Sequence, residues 1–115
     1  MNTKPITLDD SNFGSVVDAT PQPVLIDFYA DWCGPCQTIA PVIDELASEF
    51  DGRAVVAKVN VDDAPLLASK FGVRSIPTLL VLQNAEIVEQ IIGLTTKRVL
   101  AQKLDSLITT SAAAR

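Results

Sequence analysis

Apolar side chains fill residues 24–29 almost without interruption, the pattern of a central β-strand buried on both faces. Downstream, Ile39, Val42, Ile43, Leu46 and Phe50 recur at spacings of three, one, three and four, marking one face of a helix over residues 35–50. Pro41 falls inside that helix, where its missing N–H predicts a kink, and Asp51-Gly52 ends it. A Val-rich strand follows over residues 54–61. Ahead of the central run, residues 3–8 read as a short first strand. Cap-type residues at 9–11 then open a short helix over 12–18, which Thr20-Pro21-Gln22-Pro23 breaks.

In the second half, Asp62-Asp63-Ala64-Pro65 is a helix start and Gly72 a helix stop. Residues 78–82 and 86–92 form a predicted hairpin around Gln83-Asn84-Ala85, although Ala85 is a poorer turn residue than glycine. Thr95 or Thr96 caps a last helix whose apolar face holds Val99, Leu100, Leu104, Leu107 and Ile108. Lys97 and Arg98 in its first turn oppose the helix dipole, a local rule broken for no reason visible in the sequence. Strands separated by helices predict parallel pairing, and the closing hairpin an antiparallel part. The expectation is a mixed α/β sheet with helices on both faces, in a single domain over residues 1–110 with a frayed, disordered tail over 111–115.

Composition narrows the function. With 115 residues, 48% hydrophobic and 20% charged, the chain is sized for one packed core. A net charge of −5 with scattered cations argues against nucleic acid as a partner. The longest apolar run in the second half, Leu79-Leu80-Val81-Leu82, is far too short to span a membrane. The first ten residues lack the apolar core of a signal peptide, which predicts a cytoplasmic location, where disulfides are transient and catalytic.

There is no histidine, so a Cys–His nucleophile pair and c-type haem attachment are excluded. Two cysteines are too few for a metal or iron–sulfur site in one chain, and no metal is expected. Those two, in Trp32-Cys33-Gly34-Pro35-Cys36, lie at a predicted helix start just past the central strand. There the helix dipole and unpartnered N–H groups favour a thiolate, the attacking species in disulfide exchange. Chemistry in α/β sheets usually sits at that end of a strand. The pair reads as a dithiol that closes to a redox-active Cys33–Cys36 disulfide and reopens, with no other cofactor; the alternative is a structural disulfide or two inert thiols.

Other residues stay open on their own chemistry. Asp27 is the one charge in the apolar run, either facing solvent or buried with a raised pKa suited to proton transfer. Lys58 is either an exposed strand lysine or a partner of Asp27. Pro77 ahead of a strand favours a trans bond on general grounds, and Gly93 permits close backbone approach or simply ends a strand.

The set Asp27-Phe28-Tyr29-Ala30-Asp31-Trp32-Cys33-Gly34-Pro35-Cys36, with Lys58, Ile76-Pro77-Thr78 and Gly93, resembles the thioredoxin family over roughly residues 6–107. The resemblance implies the thioredoxin fold, a central mixed five-stranded sheet with four flanking helices. It implies a protein-disulfide reductase in which Cys33 is the nucleophile and Cys36 the resolving thiol. Gly34 and Pro35 would shape the turn and redox poise, Asp27 would exchange protons with Cys36, and Lys58 would interact with Asp27. Ile76–Pro77 would be a cis-proline loop, and Trp32, Gly34, Pro35, Ile76, Pro77, Ile92 and Gly93 a flat docking surface. Implied partners are disulfide-containing proteins and a thioredoxin reductase, with the chain acting as a monomer.

Tyr29 stands where the family commonly has tryptophan, and Gln37 where lysine or arginine is frequent, which bears on the potential. An oxidase or isomerase, and a binding module with dispensable thiols, are the competing readings.

Overall fold

The computed structural model describes residues 3–113, and side chains over residues 3–108. The elements in chain order are β1 (Ile6–Leu8), α1 (Phe13–Val17), β2 (Val24–Tyr29), α2 (Gly34–Glu49) and β3 (Val55–Asn60). There follow α3 (Pro65–Lys70), β4 (Thr78–Gln83), β5 (Glu86–Ile92) and α4 (Lys97–Ala113). The strands form one sheet in the order β1-β3-β2-β4-β5. This is the thioredoxin fold that the sequence led us to expect.

The alternation of side chains along β2 divides the core. Val24, Ile26 and Phe28 point to one face and pack with Phe13 and Val17 of α1 and Leu67 of α3. Leu25 points to the other, among Ile39, Ile43 and Leu46 of α2 and Leu100 and Leu104 of α4. A strand covered by helices on both sides has no polar face, which is why its sequence is a continuous apolar run. Asp27 lies on the α2 side and is 1% exposed.

Parallel pairing holds for β1 with β3 and for β3 with β2. It fails for β4, which follows a helix yet runs antiparallel to β2, with Thr78 opposite Phe28. Helix α3 has six residues, about 9 Å of rise, against about 20 Å for a strand of that length. It does not return the chain across the sheet, so β4 starts at the end where β2 finishes. That reversal brings Ile76 and Pro77 to the cysteines.

Helix α2 runs on through Pro41 as one element. The hairpin turn is two residues, Asn84 and Ala85, both left-handed with φ of 54° and 65°. Helix α4 continues over 111–113, into the segment read as a tail, and residues 114 and 115 lie outside the described residues. Lys97 is hydrogen bonded to Glu49 and lies 3.5 Å from Glu45, so its charge at an unfavourable helix end ties α4 to α2.

Candidate active site

Cys33 is the N-cap of α2 and Pro35 stands in its first turn. The chain is bent into the helix by Cys33 N–H donating to Ala30 O and Gln37 N–H to Cys33 O, both at 3.2 Å. The cap acceptor is a sulfur: Cys36 N–H points at Cys33 Sγ at 3.2 Å. Cys33 and Cys36 are joined as a disulfide with Cα atoms 5.3 Å apart. When the bond opens, negative charge on Cys33 Sγ meets that N–H and the positive end of a sixteen-residue helix, and both favour a thiolate. In the disulfide form Cys33 and Cys36 are nearly equally buried, at 5% and 3% exposure, beneath exposed Gly34 and Pro35.

The loop before β4 lies against this pair. The Ile76–Pro77 peptide is cis. Ile76 O lies 3.7 Å from Cys33 Sγ, and Ile76 packs against the small cluster formed by Ala30, Cys33 and Cys36. Gly93, at φ 90°, donates its N–H to Pro77 O at 2.9 Å, joining the end of β5 to the loop. Around them Trp32 and Ile92 are 72% and 64% exposed, large apolar side chains left in water. The Trp32 indole is held by Nε1–H donating to Asp62 Oδ2 at 2.8 Å. Asp62 was legible only as part of a helix-start signature, and nothing in the sequence linked it to Trp32.

Beneath the cysteines, both carboxylate oxygens of Asp27 lack a hydrogen-bond partner among the described residues. Burial raises its pKa to about 6, the nearby charge of Lys58 pulling the other way. Asp27 and Lys58 are register partners on β2 and β3. The Lys58 ammonium, however, lies over the ring of Tyr29, 4.5 Å from its centroid. A cavity of about 310 Å³ is lined by Asp27, Tyr29, Asp31, Cys36, Gln37 and Lys58 among others, so the carboxyl and the inner cysteine share one space. Gln37 donates from Nε2 to Asp31 O at 2.9 Å at its edge. A groove of about 330 Å³ between β5 and α4 shares none of these residues.

Among the described residues no cluster of histidine, cysteine or acidic side chains is arranged to hold a metal ion, and no helix is long and apolar enough to cross a membrane. The arrangement is that of an openable disulfide at a helix N-terminus, with an apolar rim and a buried carboxyl.

Residues 4–106 match the family model described as Thioredoxin. The chain belongs to the thioredoxin family. It is 48% identical to the thioredoxin of Haemophilus influenzae over 88% of this chain and 94% of that one. It is 47% identical to the chloroplastic thioredoxin M5 of rice, over 90% of this chain and 60% of the relative. The solved structure of a mutant thioredoxin from Halobacterium salinarum superposes with a TM-score of 0.82 at 40% identity, covering 90% of this chain and 89% of the other. As a thioredoxin with its Cys33-Gly34-Pro35-Cys36 pair in place, this protein is a protein-disulfide oxidoreductase working by thiol–disulfide exchange.

Proposed function

We propose that the chain works as a reductant of protein disulfides, with Cys33 attacking and Cys36 resolving. The Cys33 thiolate displaces one sulfur of the substrate disulfide, forming a mixed disulfide and releasing a substrate thiolate, which takes a proton from water. Cys36 then gives its proton to the Asp27 carboxylate through the shared cavity and attacks Cys33 Sγ. The Cys33–Cys36 disulfide closes, and the second substrate thiol leaves, protonated at the expense of Asp27 or solvent. The substrate gains two electrons and two protons and the protein loses them.

The observation that carries this reading is the Cys36 N–H aimed at Cys33 Sγ at the start of α2. An N–H at that place would stabilise negative charge on Cys33 Sγ, which supports Cys33 as the attacking sulfur. The apolar rim of Trp32, Ile76, Pro77 and Ile92 with Gly34, Pro35 and Gly93 suits an extended substrate segment laid beside Ile76. Lys58 modulates the charge of Asp27. Recycling requires a dithiol donor, and the proposed one is a thioredoxin reductase. The proposed setting is the cytoplasm, a compartment that keeps thiols reduced, and the working unit is one chain.

The test is reduction of a model protein disulfide with NADPH and a thioredoxin reductase as electron source. Catalytic turnover dependent on Cys33 and Cys36 is expected. An intact fold that gives no turnover with any reductase would contradict the reading and favour a binding module whose thiols are dispensable.

A further inference from the structure

The cation beside Asp27 is held by something other than Asp27. Lys58 is its register partner on the neighbouring strand. An ammonium and a buried carboxylate attract strongly, yet among the described residues both Asp27 oxygens are without a hydrogen-bond partner and the ammonium sits 4.5 Å from the centre of the Tyr29 ring. The face of an aromatic ring attracts a cation through its quadrupole, more so when water is excluded.

From this geometry we infer that Tyr29 is a positioning residue, whose ring holds the Lys58 ammonium off Asp27 and so keeps the buried carboxyl a proton carrier rather than half of an ion pair. The inference rests on the proposed proton-transfer role of Asp27. An Asp27–Lys58 contact would make the carboxylate a weaker base, and so a poorer acceptor for the Cys36 proton.

Few titratable groups face Asp27. Lys58 faces it from β3 and Tyr29 from its own strand, Asp31 from the loop after β2, and Cys36 from α2. The register partner on β4, Leu79, is apolar. Lys58 is the one cation among them. Moving it is the direct way to move the proton affinity of Asp27.

The experiment is carboxyl ¹³C titration of Asp27 in the oxidised full-length protein, wild type against Tyr29→Phe, Tyr29→Leu and Tyr29→Leu/Lys58→Met. Tyr29→Phe keeps the ring face and should titrate as wild type. Tyr29→Leu frees Lys58 and should make Asp27 a stronger acid by about tenfold or more. Adding Lys58→Met should abolish that gain.

An unchanged midpoint in Tyr29→Leu would overturn the inference. So would a gain in acidity that persists without Lys58, which would mean that water had entered. A second reading needs no substitution: ring current from Tyr29 should move the Lys58 ε-methylene protons upfield in the wild type, and unshifted protons would also overturn the inference. These titrations are independent of turnover, whereas a wrong role for Asp27 would show only in the activity of Asp27→Ala.

Discussion

The N–H of Gly93 donates to the carbonyl of Pro77 at 2.9 Å, so the end of β5 and the loop ahead of β4 form one continuous surface beside the cysteines. Gly93 holds φ of 90°, and a Cβ built there would meet nothing within 4 Å. Space is free at this position; the constraint is the backbone conformation. Gly93→Ala should therefore cost about 1–2 kcal/mol, read in urea unfolding. Because relief of that strain tilts the loop that carries Ile76, KM for a protein disulfide should rise more than kcat falls. Unaltered stability and KM would show that the bond does not position the loop.

Asp27 gives a pH dependence whose sign follows from its environment. Burial raises its folded pKa from 3.8 to about 6. Below about pH 4 the group is neutral in both folded and unfolded chains and costs nothing; from there to about pH 6 the folded chain binds more protons, so stability falls as pH rises. By pH 7 the penalty is on the order of 3 kcal/mol. Asp27→Ala should thus gain stability over wild type progressively between about pH 4 and 7, while losing about tenfold or more in turnover at neutral pH. A stability difference independent of pH would contradict the buried, unpaired carboxyl. Unchanged turnover across the range would remove Asp27 from the proton path.

Much of the fold was legible because buried elements leave strong patterns. The apolar run of β2 and the i, i+3, i+4 face of α2 set both elements to within a residue. The direction of β4 was not, because it depends on how far the short α3 carries the chain, which no local pattern encodes. Lys97 shows the same limit: its place in a helix N-terminus contradicts local electrostatics, and Glu45 and Glu49, some fifty residues earlier in the chain, are what make it favourable.

Ala85 gives a prediction on the turn itself. Its φ of 65° lies in the left-handed region, where a Cβ is penalised. Ala85→Gly should stabilise the protein by about 0.5–1 kcal/mol, seen as a higher denaturation midpoint with reductase activity unaltered. A loss of stability would mean that the hairpin is not strained there.

At the site, motif residues close in sequence were readable and long-range pairings were not. Cys33, Gly34, Pro35 and Cys36 lie within one helical turn, so their chemistry follows from spacing. The Asp62 that holds Trp32 lies thirty residues away. The ring that holds Lys58 is on the adjacent strand, and Tyr29 drew notice in the sequence only as a departure from the family's usual tryptophan.

The division of labour between the two sulfurs is the centre of the account, and covalent trapping tests it most directly. Attack by Cys33 leaves a mixed disulfide that only a second thiol in reach can cleave. Cys36→Ser should therefore accumulate Cys33–substrate adducts, visible on non-reducing electrophoresis with a disulfide-containing protein and lost on adding a reducing agent. Cys33→Ser should trap few, since it lacks the sulfur that receives the Cys36 N–H. Peptide mapping should place the adducts on Cys33. Equal trapping by the two variants, or adducts formed mainly through Cys36, would contradict the assignment.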